Sequence, residues 1–466
     1  MTALASPPRQ RVRLEAAAGL SWRATGLAAA GLLLTFAAPQ HRIDLLLIGL
    51  AAVSAGVVWS PMSGPLLVGA TLPLFFFGRP LAGPLAVTPP GLVLMVSWVA
   101  AVARHRQLNL RWPQTAYDAP LAMFLIAALL SLLVTEYPLL SVRELRAVIF
   151  EPILFFWLLH AMSGSAAWAV RGFLTGATVT AVAAIAQGPL GVGGTATEGV
   201  LRAQAWYPSA NHLALMLGRA WPFLVAGGLA GNAWLWLPAA LVGLALVLTF
   251  STGGWLGGLA AALVVVAVLS HRRLAVRSGA AAILALVVVS GLAIDGILPE
   301  RLNPLRQTGG FRLDLWLSSL DMLRDHPLLG IGLDNFAYLY QQVYLRQGAA
   351  AEPNLSHPHN WLLQFWLDLG LVGLVSFCWL VWRFAREVRR NLPLPLGQAS
   401  QGWMVAGALG AMVDLLVHGL IDNSYFLVDL AFVFWLTLAL VEPRRPVLEA
   451  DPSPGGSPLG NKMLSK

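Results

Sequence analysis

Two histidines one residue apart, His357 and His359, stand with Asn360 directly before the apolar run Trp361–Trp382. A neutral imidazole, with an ordinary pKa near ~6.5, can take the proton of an attacking hydroxyl, so the pair is a candidate for general-base work. By itself a His-x-His pair is a weak signal, and a metal site needs a third ligand. His326 is available, but its neighbour Pro327 reads as a helix stop. No Asp-x-Asp pair occurs in the chain, so the metal–diphosphate device of many soluble sugar-nucleotide transferases is missing. Arg312 and Arg202 are the cationic candidates, because a guanidinium is always charged and grips phosphate oxygens through parallel hydrogen bonds. The plain alternative for Arg312 is a headgroup-facing position on an amphipathic helix. Glu151, Arg171, Arg219, Asp368, Asp414 and Asp429 fall in or at the edges of apolar runs, where charge is costly. Glu151 reads as an ion pair with Arg146. Arg219 could face a buried cavity or pair with Asp414. His418 and Asp422–Asn423 could line the entrance to a site, and Trp361 and Trp366 read as interfacial anchors that could also stack on a ring-shaped ligand.

These groups must be held by a membrane protein. Of 466 residues 57% are hydrophobic and 11% charged, with mean hydropathy +0.70, against roughly 25% charged in soluble domains. A soluble protein is excluded. The net charge of +8 would suggest nucleic acid in a soluble chain; here the basic residues sit between spans, and no nucleic-acid partner is expected. A single cysteine, Cys378, offers neither an intrachain disulfide nor a zinc cluster. Stretches of about 20 uncharged residues can cross ~30 Å of hydrocarbon as helices. Candidate spans lie near 22–38, 44–60, 64–78, 90–104, 118–134, 145–162, 168–188, 210–229, 232–250, 253–270, 278–295, 362–382, 402–419 and 425–441. The third is short and rich in Pro and Gly, so the fold class is an all-α bundle of about 12–14 transmembrane helices.

Short cytoplasmic loops collect Lys and Arg. With the N-terminus inside, the inner connections carry Arg104, Arg106 and Arg111; Arg272, Arg273 and Arg277; Arg383, Arg386, Arg389 and Arg390; and Arg444 and Arg445. That parity puts outside the segment around Arg202, the turn Ser251–Gly254, a loop over 296–360 and the turn with His418 and Asp422. The expected organisation is N-terminal helices over 1–295, the long external loop over 296–360, C-terminal helices over 361–442 and a disordered cytoplasmic tail over 443–466. Within the loop Leu313, Trp316, Leu317, Leu320 and Leu323 recur at helical spacing and predict an amphipathic helix. Asp334 or Asn335 can cap a second, short helix with Phe336, Leu339, Tyr340 and Val343.

The ordered set Arg312–x3–Trp316, Asp325–His326–Pro327–Leu328–Leu329–Gly330–Ile331–Gly332–x2–Asn335–Phe336, His357–x–His359–Asn360–x2–Leu363–Gln364 and Gly370–Leu371–Val372–Gly373–Leu374 resembles the signature of the O-antigen ligase and O-antigen polymerase superfamily. Upstream, Arg202–x4–Tyr207–Pro208–x2–Asn211–x–Leu213–Ala214 and Phe250–Ser251–x–Gly253–Gly254–Trp255–Leu256–Gly257 look like family segments. The resemblance covers residues 200–430. It implies a metal-independent integral membrane glycosyltransferase with no cofactor, which moves a glycan from an undecaprenyl diphosphate carrier to an acceptor hydroxyl on a lipid or glycan. The reaction would take place on the outer face of the inner membrane. It also makes His359 the expected base and Arg312 its catalytic partner, with Arg202, His357, Asn360, Asn211 and Arg219 as binding residues. Where the family commonly has Arg after the serine, this chain has Thr252, and a missing cation there weakens diphosphate binding unless Arg202 or another arginine substitutes. The alternatives are a transporter of the same superfamily, of the inorganic-carbon uptake kind, and an envelope scaffold.

Overall fold

A computed structural model describes residues 19–82, 85–104, 114–197, 200–270, 308–349, 353–392 and 401–441, with isolated positions between 277 and 297. The expected span 278–295, the tail after 442 and several of the counted inner arginines, Arg106 and Arg272 among them, lie outside the described residues. The chain is an all-α helical membrane protein. Its helices are α1 (Trp22–Ala37), α2 (Ile43–Trp59), α3 (Ser63–Thr71), α4 (Pro89–Ala103), α5 (Asp118–Leu130), α6 (Pro138–Glu144), α7 (Glu151–Ala161), α8 (Ser165–Leu190), α9 (Ala210–Leu229), α10 (Trp236–Leu248), α11 (Thr252–Leu269), α12 (Thr308–Asp325), α13 (Phe336–Leu339), α14 (Trp361–Asn391), α15 (Gly402–His418) and α16 (Val428–Val441). Two short antiparallel pairs join them, β1 (Arg79–Ala82) with β2 (Leu85–Val87) and β3 (Thr195–Thr197) with β4 (Val200–Arg202). By length and composition α8, α9, α11 and α14 are able to cross a bilayer, and most of the others are shorter apolar helices.

Hydrogen bonds gather one set of connections at a single end of the bundle. Arg79 donates to the carbonyls of Thr35 and Ala38, Trp206 to Pro73, Arg202 to Thr249, Tyr207 to Asp429 and Asn360 to Leu420. Several helices that start at this end begin on a side-chain cap. Thr88 precedes α4, Ser209 α9, Ser251 α11 and Asn360 α14, and each side-chain oxygen accepts a first-turn amide. The positive dipole ends of α9, α11 and α14 therefore point toward the loops.

Two departures from regular helix shape this end. Pro152 has no N–H for the Val148 carbonyl, the chain runs as a π turn over Leu145–Phe150, and the Tyr425 hydroxyl donates to that carbonyl instead. The run expected as one span from Trp361 is broken at Gly370 (φ 71°, ψ −177°). The break frees backbone groups, and the segment Leu328–Ile331 fills it: Ile331 N donates to Leu367 O at 2.7 Å and Leu371 N to Leu328 O at 3.0 Å. The approach is close enough that a Cβ on Gly330 would meet Leu367 O at 2.1 Å and one on Gly370 would meet Leu328 O at 2.4 Å.

The loop segment has its own small core of Leu315, Met322, Leu323, Ile331, Phe336, Leu339 and Tyr340 against Leu367. The recurring leucines of α12 divide between this core and the exterior. Leu313 and Leu320 are exposed, whereas Ser318 and Ser319 are buried. The serines tolerate burial because Ser318 donates to Tyr344 O and Ser319 to Leu315 O. Asn335 stands before α13 but does not cap it. Its Oδ1 accepts the amides of Glu136 and Tyr137 and its Nδ2 donates to Thr135, Ser141 and Leu333, which clamps the loop to the α5–α6 corner.

Candidate functional site

His357, His359 and Asp422 converge at the loop end. His359 Nδ1 lies 2.8 Å and His357 Nε2 3.4 Å from Asp422 Oδ1, and the imidazole centroids are 4.2 Å apart. The position of His359 is fixed from several sides. The carbonyl of Pro358 accepts from Trp316 Nε1 at 3.1 Å, Trp361 N donates to Gly419 O, and Asn360 ties the start of α14 to Leu420. His359 itself has φ +49°, a left-handed conformation unusual for a residue with a side chain. Ala205, Phe250 and Asp334 share that feature among the described residues, and all four lie in loop-end segments, where backbone strain persists only if the surroundings hold it.

The hydrogen bonds define a chemistry. Asp422 Oδ1 also accepts the Asn423 amide at 2.8 Å. Burial would raise the Asp422 carboxyl, but the neighbouring His359 and His357 hold it well below the usual carboxylate range. A carboxylate beside Nδ1 makes that nitrogen the N–H donor, so Nε2 of His359 keeps its lone pair. Burial first, and then the neighbouring His359, bring His357 down to about 4, so its ring is neutral near pH 7. With Nε2–H toward Asp422, its Nδ1 accepts from Ser356 Oγ at 2.9 Å. The same three side chains offer ligand atoms within 4.8 Å of one another and could hold a metal ion. Their mutual hydrogen bonds account for the arrangement equally well.

Two further histidines surround this centre. His418 is buried, both ring nitrogens lack a hydrogen-bond partner among the described residues, and Gly253 of the Ser251–Gly254 turn abuts its ring. His212, which follows Asn211 and went unnoticed in the sequence, lies within electrostatic reach of Asp422, His357 and His359. No motif or periodicity marks it.

The remaining candidates divide. Arg202 is buried; its Nε donates to Thr249 O at 2.7 Å and its Nη2 to Asn211 Oδ1 at 2.6 Å, so both residues brace the turn that leads to Ser251 and the exposed Thr252. Arg312 is half-buried on α12, one turn before Trp316, and its charge acts on His418. Arg219 does not reach this centre. Its Nη1 pairs with Asp414 and its Nη2 donates to the Ser424 carbonyl and hydroxyl, all buried, so the ion-pair alternative is the one present. Through Ser424 that pair holds the turn on which Asp422 rides. Glu151 lies 3.4 Å from Arg146, as an ion pair, and Trp366 is engaged with Pro327 O.

Residues 237–378, less than a third of the chain, match the family model described as O-antigen ligase. A Rickettsia conorii protein that carries the provisional name polysaccharide ligase is 24% identical over 118 residues, 23% of this chain and 29% of that protein. A Rickettsia typhi protein with the same provisional name is 29% identical over 94 residues, 20% of this chain and 23% of its own length. An uncharacterised Haemophilus influenzae protein is 32% identical over 68 residues, covering 14% and 17%. The chain thus spans less than a third of the length of these relatives. The family match and the ordered motifs that continue around it make the chain similar to the O-antigen ligase superfamily.

Proposed function

We propose that this protein is a membrane glycosyltransferase that moves a glycan from an undecaprenyl diphosphate carrier to an acceptor hydroxyl, on the outer face of the inner membrane, during cell-surface polysaccharide assembly. The observation that carries this reading is the His359–Asp422 pair, a carboxylate-oriented imidazole with its second nitrogen free to work as a base, held at the loop end of a membrane bundle. In the proposed step the acceptor hydroxyl gives its proton to His359 Nε2 while its oxygen attacks the anomeric carbon. The sugar–phosphate bond breaks and its electron pair leaves with the carrier diphosphate. Diphosphate is a good leaving group, so stabilising its charge matters more than protonating it.

Arg312, Arg202 and the dipole ends of α9 and α11 are the groups that would carry that charge. Arg202 braces the carbonyl of Thr249, so a guanidinium stands against the turn that leads to Thr252 although the family's arginine is absent. His357 and Asn211 position these groups, and Asn360 acts as a cap and strut. The reaction as drawn uses no metal and no cofactor. The test is transfer by the purified, reconstituted protein from an undecaprenyl diphosphate glycan to candidate acceptors. Wild type transfers sugar and a folded His359→Ala variant does not; equal activity of the two would show that His359 is not the base.

A transporter is the second reading, and the broken helix at Gly370 is the observation that favours it, because transporters place freed backbone groups at such breaks. Here the loop itself satisfies those groups. Solute uptake by proteoliposomes in the absence of any glycan donor would support transport instead.

A further inference from the structure

The hydrogen bonds of the histidine centre leave one capacity unused. His359 Nδ1 and His357 Nε2 face the same oxygen, Asp422 Oδ1, at 2.8 and 3.4 Å, and the three ligand atoms lie within 4.8 Å of one another. In a four-coordinate zinc site, with ligand distances of about 2.0–2.2 Å, neighbouring donors stand roughly 3.3–3.6 Å apart. The His357–Asp422 edge already has that length, and the His359–Asp422 edge reaches it by opening about half an ångström. Two imidazole nitrogens with one carboxylate oxygen suit zinc and similar borderline ions; magnesium and calcium prefer oxygen alone.

The ring protons can make way for an ion without a change of ring position. A neutral imidazole carries one proton, and either nitrogen can hold it. Ser356 Oγ, 2.9 Å from His357 Nδ1, accepts as well as donates, so His357 can present a bare Nε2 with its proton on Nδ1. His359 does the reverse, with a bare Nδ1 and its proton on Nε2. The fourth position has a candidate as well. His212 lies within electrostatic reach of Asp422, His357 and His359, and its buried Nδ1 has no hydrogen-bond partner among the described residues. Entry is open on one side, because the His359 side chain is 16% exposed whereas Asp422 is 3% exposed.

We propose that His357, His359 and Asp422 form an inhibitory zinc site. The ion takes Nδ1 of His359, Nε2 of His357 and Oδ1 of Asp422, with His212 or a water in the fourth place. The inhibition rests on the transferase reading, whereas the binding does not. With zinc on Nδ1, the one proton of the His359 ring sits on Nε2, the nitrogen that would take the proton of the acceptor hydroxyl. The ion therefore removes the base and leaves the arginines that would hold the diphosphate untouched.

The test uses the untagged full-length protein in neutral detergent, stripped with a chelator and titrated with cobalt(II), whose visible absorption is intense in four-coordinate sites and weak in octahedral ones. One cobalt binds per chain with the intense absorption, and zinc displaces it. His357→Gln and Asp422→Asn each weaken binding about tenfold or more. The second keeps the shape of the site, which separates a lost ligand from a folding defect. His326→Gln, at an exposed position of the same loop, binds as wild type does. In the reconstituted protein saturating zinc lowers the transfer rate at least about tenfold, a chelator restores it and magnesium has no effect. Lack of a one-to-one absorbing complex, or equal binding by all the variants, overturns the site. Zinc bound there with the rate unchanged or raised overturns the inhibition. A wild type that transfers to no acceptor ends the transferase reading and the inhibition with it, while cobalt absorption, read without any glycan, still decides the site.

Discussion

Asp422→Asn removes one charge with almost no change of shape, and its effect can be worked from the geometry. The carboxylate accepts from His359 Nδ1 at 2.8 Å and so fixes which ring nitrogen is the base. An amide in its place can turn its NH2 toward Nδ1, which puts the ring proton on Nε2 and blocks proton uptake there. A hydrogen bond to a charged group contributes about 1.5–3 kcal/mol, or roughly 10- to 150-fold in the population of the competent tautomer. As the imidazole gains its proton, the neighbouring negative charge is also lost, and at an effective dielectric of 20 that interaction is worth up to about 4 kcal/mol at 4 Å. Together these give a fall in kcat of about 10- to 10⁵-fold. Donor binding changes little, because Asp422 carries the charge opposite to one that would hold a diphosphate. The assay is initial-rate transfer with kcat and KM resolved, on Asp422→Asn, His359→Ala and the double variant. The double variant falls no further than His359→Ala alone, since the two residues act as one unit. A drop in kcat below about threefold, or a loss confined to KM, would refute Asp422 as the group that orients the base.

Gly370→Ala forces a Cβ to within 2.4 Å of Leu328 O at a positive φ; the wedge Leu328–Ile331 should be displaced, with a loss of at least about 1–3 kcal/mol seen as a lower melting temperature and loss of transfer. His357 titrates at about 4 when folded and near ~6.5 when unfolded, so the unfolded chain binds more protons between these values. Stability therefore falls as pH is lowered from about 6.5 to 4, by up to roughly 3 kcal/mol, and His357→Gln flattens the slope of melting temperature against pH in that window. Chelator treatment leaves transfer unchanged; activity lost to the chelator and restored by zinc would instead assign the His357–His359–Asp422 group to a metal that the reaction needs.

Much of this molecule was legible in the sequence because lipid imposes a simple rule on it. Apolar runs of span length mark the helices, and the turn at Ser251 between two of them is marked too. The glycines in Leu329–Gly330–Ile331–Gly332 and at Gly370 could be seen, but not that one segment fills the break made by the other, because each reads locally as an ordinary interruption. The buried face of α12 could not be read from its sequence for a physical reason. Its sequence carries two apolar stripes, and the buried serines beside Leu315 and Met322 are paid for by backbone hydrogen bonds that periodicity does not show. The partnership of His359 with Asp422 spans 63 positions in sequence, so neither spacing nor motif announces it. Arg219 had two readings that only the position of Asp414 could separate. His212 left no local pattern, since its neighbours Asp422, His357 and His359 come from segments distant in the chain.

The most direct measurement is a single-turnover reaction of the reconstituted protein that follows, in one sample, glycan joined to the acceptor and carrier diphosphate released. With His359 as the base, wild type produces both in equal amounts and only when an acceptor hydroxyl is present, while His359→Ala binds the donor and produces neither. Equal product and equal release from the two proteins, or no transfer by wild type to any acceptor alongside solute uptake, would contradict a transferase built on this histidine.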